Sequence, residues 1–237
     1  MRACQPVLGL PLWVWLFVLP SIIVALCLFF PVPSKRILTP IWRGLDKVYL
    51  ASGVVAATFM VTILLIIVWQ MVSRWSGLTF QGSTDYAGYA MAATSFFAFA
   101  HALNRGAHIR VSILHNMNHH TKLWLDAFAM FIASIIGTYF ARYAVKANFE
   151  SKMLNDRTQG VDQVPDWFLT IFRMFGNWPS KWGEIWASTS SEWVYTPVWL
   201  PQIPMSIGTI LLAIALWDNL TRLMIFRKTQ IIWDAVA

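Results

Sequence analysis

Asn104-Arg105-Gly106-Ala107-His108-Ile109-Arg110-Val111 is a short polar stretch between two long apolar runs. One run ends near Leu103 and the next begins at Leu123. Basic residues beside apolar spans mark the cytoplasmic face of a membrane protein. The stretch therefore reads its neighbours as membrane-spanning helices and gives them a direction. Composition agrees: of 237 residues, 57% are hydrophobic and 12% charged, against about 25% charged in a soluble domain. Mean hydropathy is +0.55. Such a chain cannot cover a water-facing surface. At roughly 20 apolar residues per span, the length allows about five spans with connectors.

Working upstream, Tyr86 to Leu103 reads as a span rich in small residues, among them Ala87, Gly88, Ala90, Ala92, Ala93, Ala98 and Ala100. Small residues let helix backbones approach closely in lipid, so this helix is expected to be covered by protein. Ser83 or Thr84 is placed to cap it, with Asp85 in the first turn, favoured by the helix dipole. Val48 to Val72 is an apolar span closed by Arg74 and Trp75. From Ser34 to Tyr49, Ile37, Leu38, Ile41, Trp42 and Leu45 fall at helical spacing among Lys35, Arg36, Arg43 and Lys47. That pattern reads as an amphipathic interfacial helix, and equally as the charged collar of two spans. Val7 to Phe30 is apolar but interrupted by Pro11 and Pro20. It exceeds the usual ~7–15-residue core of a signal peptide and lacks a small-x-small site after it, so a retained helix kinked near Pro20 is expected.

Downstream, Leu123 to Val145 and Pro204 to Phe226 read as further spans. Between them, residues 146–200 hold Trp167, Trp178, Trp182, Trp186, Trp193 and Trp199 among scattered acids. Tryptophan in that mixture suggests short amphipathic helices on a membrane surface. The expectation is an all-α polytopic membrane protein, with residues 1–47 forming an added N-terminal helix and interfacial helix. Residues 48–228 form a four-helix membrane domain with the Trp-rich segment at about 147–200, and 229–237 form a tail. The basic collars are Lys35 to Lys47, Arg105 with Arg110 and Lys122, and Arg222 with Arg227 and Lys228. All fall on one side if there are five spans, which puts the N-terminus outside and the C-terminus inside. The net charge of +7 is thereby explained by orientation and anionic lipid, not by nucleic acid.

Few constellations could carry chemistry. His115 and His119 stand at i and i+4, a metal-compatible spacing, but no third ligand is evident and a polar turn is the favoured reading. His101 lacks an intramembrane histidine partner, which argues against bis-histidine haem. Asp126, Arg142 and Asp218 are the charges nearest the apolar runs, and Asp218 forms an i,i+4 pair with Arg222. No hydrolase, P-loop or dinucleotide motif is present. Cys4 and Cys27 form no disulfide or zinc pattern. The chain is expected to be no enzyme and to need no cofactor and no metal.

Arg105-Gly106-Ala107-His108-Ile109-Arg110-Val111, together with Asp85-Tyr86 and the aromatic run Phe96-Phe97-Ala98-Phe99, resembles the small permease subunit of tripartite ATP-independent periplasmic (TRAP) transporters, the DctQ family. Pro201-Gln202-Ile203-Pro204, running to Gly208, is similar to that family's approach to its last helix. The resemblance covers about residues 48–145 and 197–228. Ser112 stands where the family usually has Asp, and Asp85 where it often has Glu. The added N-terminal helix and the long Trp-rich segment are further departures.

The resemblance implies a DctQ-like four-helix core and a scaffolding role. A large permease subunit (DctM-like) would carry a carboxylate or sulfonate by sodium-coupled symport, after capture by a periplasmic substrate-binding protein. It also implies the bacterial inner membrane. Arg105, Gly106, His108, Arg110 and Asp85 become the candidates for contact with the large permease or with membrane phospholipids. Two other classes stay open: the membrane-anchor subunit of an oxidoreductase, and a stand-alone transporter.

Overall fold

The computed structural model describes residues 6–7, 9–105 and 119–227, with side chains described for 9–105 and 123–227. Seven α-helices carry the fold: α1 (Leu19–Phe29), α2 (Pro31–Trp75), α3 (Ser83–Asn104), α4 (His119–Leu154), α5 (Asp166–Phe175), α6 (Trp182–Ala187) and α7 (Trp199–Phe226). A π-helical turn, Val14–Val18, leads into α1. Among the described residues, strands form two short antiparallel pairs, β1 (Pro6–Val7) with β2 (Leu10–Pro11) and β3 (Gln163–Pro165) with β4 (Trp193–Tyr195). The all-α membrane class read from composition stands.

Among the described residues, three helical stretches are long and apolar enough to cross a membrane: Pro31–Trp75, Leu123–Leu154 and Trp199–Phe226. Val14–Phe29 is apolar but shorter. Helix α3 has 22 residues, about 33 Å of rise, yet its apolarity is diluted by alanine, tyrosine, serine and His101. Two of the five expected spans thus fall short of that standard. For α3 the physical reason is its setting between α2 and α7, where close packing favours small side chains over greasy ones.

The interfacial helix expected at Ser34–Tyr49 is not separate. It is the first part of α2, which runs 45 residues without a break, about 68 Å. Pro31 and Pro33 occupy its opening, where their missing N–H groups cost little. Pro40 lies inside it, and the helix continues past it. The cap expected from Ser83 or Thr84 is also different. Gly82 is the N-cap of α3, in the left-handed conformation at φ 76°, and no side chain caps the helix. A side chain at position 82 would collide with Asp162, whose Cα lies 2.9 Å from the point a Cβ would occupy.

Helix α7 is the hub and packs against α1, α2, α3 and α4. Its backbone lies directly on α3: a Cβ on Gly208 would sit 2.6 Å from the Phe96 carbonyl oxygen. Ala100 of α3, Ala215 of α7 and Tyr49 of α2 are fully buried where three helices meet. On the opposite flank, Trp217 Nε1 donates to Thr138 Oγ1 of α4 at 2.9 Å, and Ser206 Oγ donates to the Ala144 carbonyl at 3.2 Å. Cys27 of α1 closes the bundle against Ala127, Leu220, Leu223 and Met224. In lipid, such packing and interhelical hydrogen bonds replace the hydrophobic effect, each bond contributing about 0.6 kcal/mol on average.

Candidate functional site: polar clamps at opposite ends of the bundle

Two clusters of polar side chains tie the helices together. Tyr89 and His101 of α3 mark them, twelve residues apart on one helix, about 18 Å.

The first cluster joins the start of α2 to the ends of α3 and α7. Arg222 binds Asp218 in two-point fashion, Nε to Oδ1 at 3.2 Å and Nη2 to Oδ2 at 3.0 Å. The same Nη2 reaches Asp46 Oδ1 at 2.7 Å. Tyr49 donates its hydroxyl to Asp218 Oδ2 at 3.3 Å, and its carbonyl meets His101 Nδ1 at 3.1 Å. The guanidinium also lies 5.4 Å from the Trp42 ring centre. Asp218 and Tyr49 are buried, whereas Asp46 is partly open. One guanidinium therefore serves two carboxylates and an aromatic face from two helices. That planar, many-donor recognition is what arginine offers and lysine does not. A charge inside a membrane is tolerated when it is paired and faces the bundle interior, as here.

The second cluster joins the start of α3 to residues 155–198. Asp162 is fully buried. Its Oδ2 accepts from the Tyr89 hydroxyl at 2.7 Å and its Oδ1 from Thr158 Oγ1 at 2.8 Å. Its carbonyl accepts from Thr196 N at 3.1 Å and Thr196 Oγ1 at 2.8 Å. Tyr86 donates to the Gln163 carbonyl at 2.9 Å. The β3–β4 ladder thus hangs from α3 through two tyrosines three residues apart, the spacing that places them on one helix face. Asp85 lies in the first turn of α3 as expected. Its Oδ2 is buried with no hydrogen-bond partner among the described residues, close to the Asp162 carboxylate across Gly160.

Beyond this anchor, Asp166 is held by Ser190 N at 3.0 Å and by Arg173 at 3.2 Å. Helix α5 buries Asp166, Leu169 and Thr170, and leaves Trp167, Phe168, Phe172 and Phe175 exposed with Trp178 beyond it. The apolar side of this Trp-rich segment is therefore turned outward, the arrangement of a surface helix that meets lipid or protein.

Of the contact candidates read from the sequence, Arg105 is the exposed C-cap of α3, and Asp85 sits at the other end of that helix. Gly106, His108 and Arg110 lie outside the described residues, as do Cys4 and His115. Nothing in the periodicity revealed Asp46, Tyr49, Asp162 or Tyr89, because their partners are remote in sequence. The visible signals were the Asp218–Arg222 spacing and the Tyr86–Tyr89 pair on an otherwise small-residue helix.

Residues 63–177 match the family model described as "Tripartite ATP-independent periplasmic transporters, DctQ component". Over that segment, the chain is similar to the DctQ family. The match takes in the later part of α2, all of α3 and α4, and the Trp-rich segment as far as Asn177. Neither the curated proteins nor the solved structures yielded a match. With three described helices long and apolar enough to cross a membrane, the chain is a multi-pass membrane protein similar to a transporter component, and both of its clamps fasten α3, which lies wholly within the matched segment.

Proposed function

We propose that this chain is the DctQ scaffold of a TRAP system: it holds a large DctM-like permease that carries an organic anion, a carboxylate or sulfonate, with sodium. The observation that carries the reading is the surface of α2. From Val54 to Val72 the helix exposes Met60, Val61, Leu64, Leu65, Val68 and Trp69, and only 11% of its most apolar stretch is buried. A helix clamped in its first half by Arg222, packed on α3 along one side and exposing this second face offers a long apolar surface to a membrane partner. The clamps stiffen the helices that carry that face. Arg105, Gly106, His108 and Arg110 remain the proposed contacts to the permease or to lipid phosphate, and Asp85 a proposed contact to the permease.

The same geometry supports the proposed orientation. Asp46, His101 and Arg222 meet at one end of the bundle, which brings the basic collars of α2, α3 and α7 together. By the positive-inside rule that end is cytoplasmic, in the bacterial inner membrane, and residues 155–198 face the periplasm and the substrate-binding protein. Asn177 is exposed in that segment. A cysteine there is expected to react with an impermeant thiol reagent in intact spheroplasts; labelling only after lysis reverses the orientation. Co-purification in mild detergent tests the scaffold. Recovery of a large multi-span permease supports it, and sodium-driven uptake by this chain alone in liposomes defeats it.

A further inference from the structure

A cavity of about 710 Å³ lies between the N-terminal segment and the bundle. That volume is within the roughly 300–1,000 Å³ of sites that hold small molecules. Leu16 and Ile23 form one wall, Ile41 and Trp42 a second, and Ile214 and Trp217 the back. Along α7 it runs from Ile210 to Thr221, about 16 Å of helix rise. Half of a hydrocarbon core of about 30 Å has the same depth.

Charge divides the two ends of this cavity. At the inner end lies Asp218, whose carboxylate is already held by Arg222 and Tyr49. At the other end, one turn apart on α4, lie Arg142 and Lys146. Lys146 pairs with Glu150 at 3.4 Å and stands over the Tyr143 ring. Arg142 is half-buried and makes no hydrogen bond or ion pair with any described residue. A half-buried guanidinium on an apolar wall, with no described protein carboxylate beside it, is complementary to an anion, and it binds phosphate oxygens in two-point fashion.

We infer that the cavity is a binding site for one glycerophospholipid, with an acyl chain between the N-terminal segment and α7 and its phosphate on Arg142. Such a lipid fills the space between the N-terminal helix and the four-helix core and fastens one to the other. Its phosphate site is Arg142 on α4, a different group from the Arg105 collar at the end of α3.

Native mass spectrometry of the full chain in mild detergent tests this. The wild-type chain is expected to retain phospholipid. Arg142→Gln should retain roughly tenfold less, the effect of losing one charge-assisted hydrogen bond, with Arg142→Lys in between. Ile214→Trp should expel the lipid while leaving Arg142 in place, with helix content by circular dichroism unchanged. Retention equal to wild type in both Arg142→Gln and Ile214→Trp overturns the site. So does equal competition by a phosphate-free alcohol of the same chain length. A benzophenone side chain at Ile214, illuminated in native membranes, should give a lipid adduct. Cross-linking to another protein instead makes the cavity a seat for a partner helix and ends the proposal.

Discussion

Helices α2 and α7 begin from the same material and end in opposite roles. Both are long and apolar, and both span by length and composition. Yet α7 buries twelve residues against four neighbours, whereas α2 buries five over a much longer course. The difference lies in where each helix keeps its small and polar residues. Along α7, Ser206, Gly208, Thr209, Ala213, Ala215, Asp218, Asn219 and Thr221 all turn inward. They permit backbone contact and supply hydrogen bonds where lipid can supply none. In α2 the buried residues are Trp42, Tyr49, Ser52, Ala56 and then Ser73, and between the last two a face of large side chains such as Met60, Leu64, Leu65 and Val68 stays exposed. One helix is built to hold this chain together and the other to meet something outside it.

The largest effect should come from breaking the clamp that α2 and α7 share. Asp218→Ala leaves Arg222 with only the partly open Asp46. Removing one partner of a buried ion pair costs about 3–5 kcal/mol. Thermal unfolding in detergent is expected to show a clear drop, and cysteines placed at positions 45 and 215, which pack in one cluster, should cross-link poorly in that background. Wild-type stability would mean that α2 is held by packing alone.

A smaller effect is expected at the other end. Tyr89→Phe removes one hydrogen bond to a buried carboxylate, worth about 1.5–3 kcal/mol. The loss should appear locally, as faster hydrogen exchange in residues 155–165, with α7 protection unchanged. Uniform loosening of the bundle would show that Asp162 supports more than the Trp-rich segment.

The smallest effect on the chain itself is predicted for Leu65→Ala on the bare part of α2. An exposed substitution changes stability by no more than about 0.5 kcal/mol. If α2 docks a permease, recovery of that partner should nonetheless fall. Equal recovery from wild type and variant would remove this face from the interface and sharpen the contrast with α7 to one of lipid exposure alone.

Much of this was legible along the chain. The apolar runs named the long helices, and the Asp218–Arg222 spacing named one pair. The Asp85 position in the first turn of α3 was also readable, since local dipole and propensity act within one turn. The cap was misread because its choice was not local: Gly82 is required by the approach of Asp162, a residue eighty positions later in the sequence. The continuity of α2 through Pro40 was hidden for a related reason. Charged collars and interfacial helices share one pattern, and only the extended partner surface of α3 and α7 separates them.

By itself, the sequence determined that this chain belongs in a membrane, where its helices run, and the short basic motif at Arg105 that resembles the DctQ family. Those properties follow from hydropathy, period and residue order, which are local quantities. Only the tertiary structure decided which charges meet, that Arg222 serves Asp46 as well as Asp218, that Asp162 hangs from Tyr89, and that Arg142 is left facing a cavity. Such pairings join residues from 73 to 176 positions apart, and no periodicity along one helix encodes which face of another it will meet.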